Sequence, residues 1–189
     1  VRQKMKSLSI LFLAAYLTVL AQAFPPRPPI PSVLVEPALA AAKAAFPDDK
    51  EKRLNYISGY CEAFLDNFRY GSRIQNVYRN SDDVWNSGRN SGLKAFPEIQ
   101  KNSYISPMDF GYTLQTLTGT YVTGFETGHF LLSETKEKVE IFLGAVDSLP
   151  ADREIRIKAF VSPESIIGVG HFNAYRRSII VVQHEKDGA

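Results

Sequence analysis

The C-terminal half of the chain, residues 112–183, alternates apolar and polar side chains with the two-residue period of half-buried β-strands. The clearest alternation covers residues 154–161, and the unbroken apolar run 179–182 is typical of a strand covered on both faces. Gly119 and Gly124 interrupt the long first segment, where glycines mark bulges or bends. About five strands, the first of them bent, predict a small curled sheet or barrel.

The preceding segment, residues 38–97, has the 3.6-residue period of helices. We expect a short alanine-rich helix over residues 38–46 and a longer helix over residues 50–70 that ends at Gly71. One apolar stripe on the longer helix is formed by Leu54, Ile57, Cys61, Phe64, Leu65 and Phe68. A cysteine within such a stripe is expected to be a buried apolar side chain rather than a reactive thiol.

A third helix is expected to begin at Ser81, whose side chain can cap the free amides of the first turn. Trp85, Gly88 and Gly92 recur along one side of this helix. Two glycines beside a large ring predict close packing against another helix or the sheet. The alternative interpretation is that Trp85 stacks on a carbohydrate. After Pro97 the period changes from that of a helix to that of a strand.

These patterns predict an α+β fold with a single domain, residues 38–189. Its helices would pack on a C-terminal five-stranded antiparallel barrel or curled sheet over residues 110–185, because short helices alone bury too little area. The strand pattern of residues 110–183 resembles the oligonucleotide/oligosaccharide-binding fold, the OB-fold, of small exported bacterial proteins. The resemblance implies a binding face flanked by the loops between strands one and two and between strands four and five. Residues 147–152 are too few for the helix that this fold often carries between its third and fourth strands.

The first 23 residues have the pattern of a secretory signal peptide. A basic start at Met5–Lys6 precedes the apolar run Leu8–Leu20 and a small-x-small site at Ala21–Ala23. The run is too short to cross a hydrocarbon core of roughly 30 Å as a helix. We therefore expect cleavage after Ala23, with a retained membrane anchor as the alternative. Residues 24–37 are rich in proline and predict a stiff linker.

The charge of the chain changes once this leader is removed. Three of the 22 basic residues lie in the leader, which leaves 19 basic against 20 acidic residues. A protein near neutrality lacks the basic surface that nucleic acid requires. We therefore expect a periplasmic or secreted protein that does not bind nucleic acid and is not stably inserted in a membrane.

Two loops in the β part repeat the sequence Gly-His-Phe, at residues 128–130 and 170–172. If the sheet curls into a barrel, both loops reach one rim and form a polar pocket with aromatic walls. The predicted ligand-binding residues are Glu126, His129, His171, Tyr175 and Arg176. The forked donors of an arginine suit a carboxylate or phosphate, so a small anionic ligand or a protein would be bound. The alternative is that both histidines only stabilise local turns.

No pattern for catalysis accompanies these loops. There is no Gly-x-Ser-x-Gly motif, and Leu131 and Asn173 stand where two-histidine phosphoesterases carry Thr or Ser. No His or Cys spacing indicates a metal site or a cofactor. The first hypothesis is therefore an exported, non-catalytic binding module rather than an enzyme. The alternatives are a periplasmic immunity or inhibitor protein against a secreted toxin and a metal-assisted hydrolase.

Overall fold

The computed structural model describes residues 29–71, 81–123, 128–144, 146–165 and 174–185. Within these ranges three α-helices precede five β-strands, and none of the helices is both long enough and apolar enough to span a bilayer. The elements are α1 (Ser32–Ala45), α2 (Lys50–Tyr70), α3 (Asp83–Asn102), the 3₁₀ helix Pro107–Phe110, β1 (Thr113–Val122), β2 (His129–Leu132), β3 (Lys138–Phe142), β4 (Glu154–Val161) and β5 (Ser178–His184). The expected signal peptide, residues 1–23, lies outside the described ranges.

Helix α1 begins earlier than its sequence pattern predicts. It starts at Ser32, inside the stretch that was expected to be a linker, and continues through Pro37. Proline removes one helical hydrogen bond, which costs about 3 kcal/mol in a helix interior. The helix offsets this cost by burying one side. That side consists of fully buried residues spaced four apart, namely Leu34, Ala38 and Ala42.

Helix α2 has the bounds that its sequence predicts, because local signals fix both ends. The Asp49 side chain accepts a hydrogen bond from the Lys52 amide at 2.9 Å, and Gly71 ends the helix with a φ of +53°. The buried face is rotated from the predicted stripe, however. Tyr56 and Tyr60 are buried, whereas Leu54 is 56% exposed. The rotation follows from the packing of α2 against α3 as well as against α1 and the barrel.

The close packing expected for the third helix is confirmed, and the partner is α2. A Cβ atom placed on Gly88 would lie 2.0 Å from the Tyr56 carbonyl oxygen, and one on Gly92 would lie 2.3 Å from that of Tyr60. Asp82, rather than Ser81, caps the helix by accepting from the Trp85 amide. The helix also continues past Pro97 to Asn102, because its last turns pack Phe96 and Ile99 onto the core.

The five strands form a closed barrel in the order β1-β2-β3-β5-β4, with β4 pairing back onto β1. The expectation of an all-antiparallel sheet is wrong, because β3 and β5 run parallel. Strand direction alternates in an antiparallel sheet, and an odd number of strands cannot close that alternation into a ring.

Gly119 lies where β1 pairs with Leu132 of β2 and Ile155 of β4, and the Phe130 ring fills the space that a side chain would need.

Two apolar cores hold the fold together. One lies inside the barrel, and the other joins the helices directly to the outside of the barrel, as predicted for N-terminal helices that pack on a C-terminal barrel. The barrel contributes Ile180 of β5, together with Phe142 and Phe160, to the second core. Cys61 is buried there, as its place in the apolar stripe predicts, and burial raises the pKa of its thiol to about 11. It is therefore a protonated packing residue at neutral pH.

Candidate binding face

The outer surface of β2, β3 and β5 carries a row of polar side chains. His129 on β2 is the pairing partner of Glu140 on β3, which is in turn the partner of Ser178 on β5. Neighbours such as Phe130 and Ile179 point into the barrel core, so the paired residues point outward. We call the outer surface around His129, Glu140 and Ser178 the β2–β3–β5 face.

The structure brings two of the predicted site residues together. The rings of His129 and Tyr175 lie with their centroids 6.3 Å apart and their planes tilted by 33°. Tyr175 is almost fully buried, so its ring is held in place. One residue from each predicted binding loop thus lies beside the other, and Glu126 and His171 lie outside the described residues.

The fifth predicted residue has a different partner. The Arg176 guanidinium binds the Glu164 carboxylate at 3.2 Å and is 76% exposed. Its donors are therefore directed to a carboxylate of the same chain instead of the paired rings. An exposed ion pair of this kind contributes little to stability, about 0–1 kcal/mol.

The structure also shows residues that the sequence pattern did not single out. Arg69, at the end of α2, forms an ion pair with Glu62 and donates a hydrogen bond to the Tyr112 hydroxyl at 3.2 Å. The Tyr112 hydroxyl lies 3.1 Å from the Ser178 hydroxyl, which is buried. The Arg69 guanidinium also lies 5.0 Å from the centre of the Phe142 ring, within cation–π distance. These groups lie outside the barrel and cover the Ser178 end of the β2–β3–β5 face, so His129 and Glu140 form its partly exposed end.

Burial sets the protonation of the face. It raises the pKa of the half-buried Glu140 carboxyl, and the positive charge of Arg69 opposes that shift. It lowers the pKa of His129, and the charge of Lys138 adds to the effect. Burial and then the charge of Asp66 raise the pKa of Tyr70 to about 12. At neutral pH the face therefore presents an uncharged imidazole, a phenol and a partly desolvated carboxylate.

This arrangement is suited to binding. The partly exposed His129 ring, backed by the buried Tyr175 ring, can stack on a flat or apolar group, and Glu140 can accept a hydrogen bond from a ligand donor. The hydroxyl of Ser178 is buried against Tyr112, so it is not exposed as a nucleophile. In the described part of the chain, no three His, Cys, Asp or Glu side chains are grouped in a way that could hold a metal ion.

The sequence does contain a signal for the residues of this face that the sequence analysis did not single out. Glu62, Asp66 and Arg69 follow one another at helical spacing, and such a stripe is usually solvent-exposed. Glu140 occupies the outward position between Val139 and Ile141. Strand alternation shows which way Glu140 points but not which strands lie beside it.

The fold and the face define a class of protein: an α+β protein whose helices cover one side of a closed five-stranded mixed barrel. Comparison of the chain with protein-family models, curated proteins and solved structures finds no match. The function is therefore argued from the geometry of the face.

Proposed function

We propose that the protein is an exported, non-catalytic binding module with an OB-like barrel. Its β2–β3–β5 face would engage a protein segment or a small ligand. The observation that carries the proposal is the pairing of the His129 and Tyr175 rings at 6.3 Å, with one ring from each predicted binding loop. The closed barrel, with β1 paired to both β2 and β4, supports the OB-like assignment.

The chemistry of the face favours a ligand with a hydrogen-bond donor over a small anion. Arg176 was the expected anion-binding side chain, and its Nη1 donor is already paired with the Glu164 carboxylate, which would also repel an anion there. Glu140 would repel an anion that approached the paired rings. A protein segment that offers a backbone amide or a side-chain donor to Glu140, and an apolar group to the partly exposed His129 ring, fits these charges best.

The binding proposal is tested by capture from a periplasmic extract on three immobilised proteins, followed by quantitative mass spectrometry. The proteins are the wild type, His129→Ala and His184→Ala. His184 lies at the end of β5, away from the paired rings, so His184→Ala is the matched control. A stoichiometric partner held by the wild type and His184→Ala but lost from His129→Ala is the expected result. Equal retention by all three proteins would contradict the role of the face.

The identity of a captured partner then refines the function. A secreted toxin would make the protein an inhibitor, which is the alternative that its size and export pattern also suit. Turnover of the partner or ligand by the wild type, abolished in His129→Ala, would contradict the non-catalytic part of the proposal.

The proposed export rests on the pattern of the first 23 residues and has its own test. N-terminal sequencing of the protein recovered outside the cytoplasm should begin at Phe24. Protein that keeps Met5 and accumulates in the cytoplasm would overturn export and leave the binding face untouched.

A further inference from the structure

One end of the barrel interior changes from apolar to polar. On β1, every second position faces the barrel interior, and towards this end these positions are Gly119, Leu117 and Gln115. On the β5 side they are Ile179 and then Arg177, the residue directly before the strand. If this end of the barrel interior were simply closed by packing, large apolar side chains would be expected at its outermost inward-facing positions. Instead, a cavity of about 370 Å³ opens there.

The walls of this cavity divide into two parts. The floor is apolar and consists of Leu117, Leu132, Val139, Val161 and Ile179, which belong to the barrel core or pack against it. The rim is polar and includes Gln115, Glu134, Glu137 and Arg177. The cavity opens inside the barrel wall, so it is distinct from the outward β2–β3–β5 face.

We propose that this barrel-end cavity is a second binding site, for a small, uncharged and largely apolar ligand that carries one hydroxyl or carbonyl group. The volume lies within the range of about 300–1,000 Å³ that is typical of small-molecule pockets. An apolar floor below a few polar groups is the usual composition of such pockets. The apolar part of the ligand would cover the floor, and its oxygen would face the rim.

The rim charges explain the preference for an uncharged ligand. The Arg177 Nε atom lies 3.9 Å from Glu137, and its Nη2 atom lies 3.6 Å from Glu164, so neither contact is within hydrogen-bond distance. A ligand oxygen could therefore accept a hydrogen bond from Arg177. A carboxylate in the same place would meet Glu134, Glu137 and Glu164, and an ammonium group has no lone pair with which to accept the hydrogen bond from Arg177.

Hexan-1-ol, hexanoate and hexylamine form a matched set of probes, because they share an apolar chain and differ in charge. Each probe is titrated into methyl-labelled protein and followed by NMR. Hexan-1-ol should give saturable shifts confined to the floor methyl groups, and both charged probes should bind at least about tenfold more weakly. The proposal is overturned if hexan-1-ol gives no saturable shift, if the shifts centre elsewhere, or if either charged probe binds as tightly.

Two variants link the shifts to this cavity. Leu117→Trp fills the floor and should abolish hexan-1-ol binding. Arg177→Ala leaves the apolar floor intact. This second variant still tests the proposal if Leu117→Trp fails to fold. It should weaken binding about five- to tenfold, because one hydrogen bond is lost. Arg156→Ala, an exposed arginine paired with Glu185, is the control and should leave binding unchanged. Unchanged binding in Arg177→Ala would overturn the proposal.

Discussion

The Arg69 guanidinium donates a hydrogen bond to the Tyr112 hydroxyl at 3.2 Å, and this contact joins the helical layer to the barrel. Tyr112 extends the connection to Ser178 on β5 at 3.1 Å, and both residues are buried. The Gly144 amide also donates to the Arg69 carbonyl at 3.1 Å, and together with the apolar contacts these bonds fix how α2 packs on the barrel. Buried polar groups hold a specific arrangement because any other arrangement leaves them unsatisfied.

The first prediction concerns the hydroxyl at the centre of this connection. Tyr112→Phe keeps the ring but removes a hydrogen-bond partner from both Arg69 and Ser178. We expect the free energy of unfolding to fall by about 1–3 kcal/mol, the usual cost of unsatisfied buried groups. Urea unfolding followed by circular dichroism measures the change. Tyr104→Phe is the matched control, because Tyr104 is 90% exposed, and the control should stay within about 0.5 kcal/mol of the wild type.

The second prediction concerns the contact between α2 and α3. Gly88→Ala would raise helix propensity by about 1 kcal/mol in an isolated helix. In the protein the new methyl group would overlap the Tyr56 carbonyl oxygen, a backbone atom that cannot rotate away. We therefore expect a net loss of about 1–3 kcal/mol, as is usual for overpacking, together with a lower melting temperature.

The control for this substitution is Ser87→Ala, since Ser87 is the exposed neighbour of Gly88 on the same helix. It also gains helix propensity, by less than Gly88→Ala, and it has no overlap, so its melting temperature should be equal to or above that of the wild type. If Gly88→Ala melted at or above the temperature of Ser87→Ala, the α2–α3 contact would not be as close as described.

Much of the fold follows from local sequence signals. Asp49 and Gly71 define the ends of α2 because capping depends on residues close in sequence. The strands follow from alternation, which is also local. The direct packing of helices on the barrel follows from the small area that short helices bury alone.

The features that could not be predicted depend on which elements become neighbours. The parallel pairing of β3 with β5 follows from barrel closure, which strand alternation alone does not fix. The charged stripe of α2 has the pattern of an exposed face until the barrel and α3 are packed beside it. Asp66 is consequently buried against Arg89 at 2.9 Å, and Arg69 meets Tyr112. The proximity of His129 and Tyr175 likewise depends on β5 lying beside β3.

The third prediction uses the half-buried carboxyl of the β2–β3–β5 face. Burial raises the pKa of Glu140 above its ordinary value of 4.5, and Arg69 only partly opposes the shift. The Glu140 carboxyl therefore binds a proton more tightly in the folded protein than in the unfolded chain. As the pH rises above 4.5, loss of this proton lowers the stability of the folded protein. The glutamine of Glu140→Gln stays neutral at every pH. The stability of this variant relative to the wild type should therefore increase as the pH rises from about 4 to about 7.

Thermal unfolding of both proteins at the two pH values measures this gain. Glu98→Gln is the control, because Glu98 is exposed on α3. The melting-temperature difference between Glu140→Gln and the wild type should become more positive at neutral pH, and the Glu98→Gln difference should not. A constant or reversed difference for Glu140→Gln would show that its carboxylate is favoured in the folded state.

The last prediction concerns the imidazole that carries the proposed binding function. Burial lowers the pKa of His129 below its ordinary value of 6.5, and the charge of Lys138 lowers it further. Lys138→Gln removes only the second cause, so the pKa of His129 should rise while staying below its ordinary value, because burial still lowers it. Titration of the His129 ring signals by NMR measures the shift, and Lys94→Gln on α3 is the matched control.

The titration of His129 also affects the stability of the protein. Because the unfolded chain binds the His129 proton more readily than the folded protein, the protein should lose stability as the pH falls below about 6.5. Lys138→Gln should reduce this loss, and Lys94→Gln should not. A wild-type His129 that titrates at or above its ordinary pKa would show that its ring is solvated or paired with an acid. The paired-ring geometry proposed for ligand binding would then have to be revised.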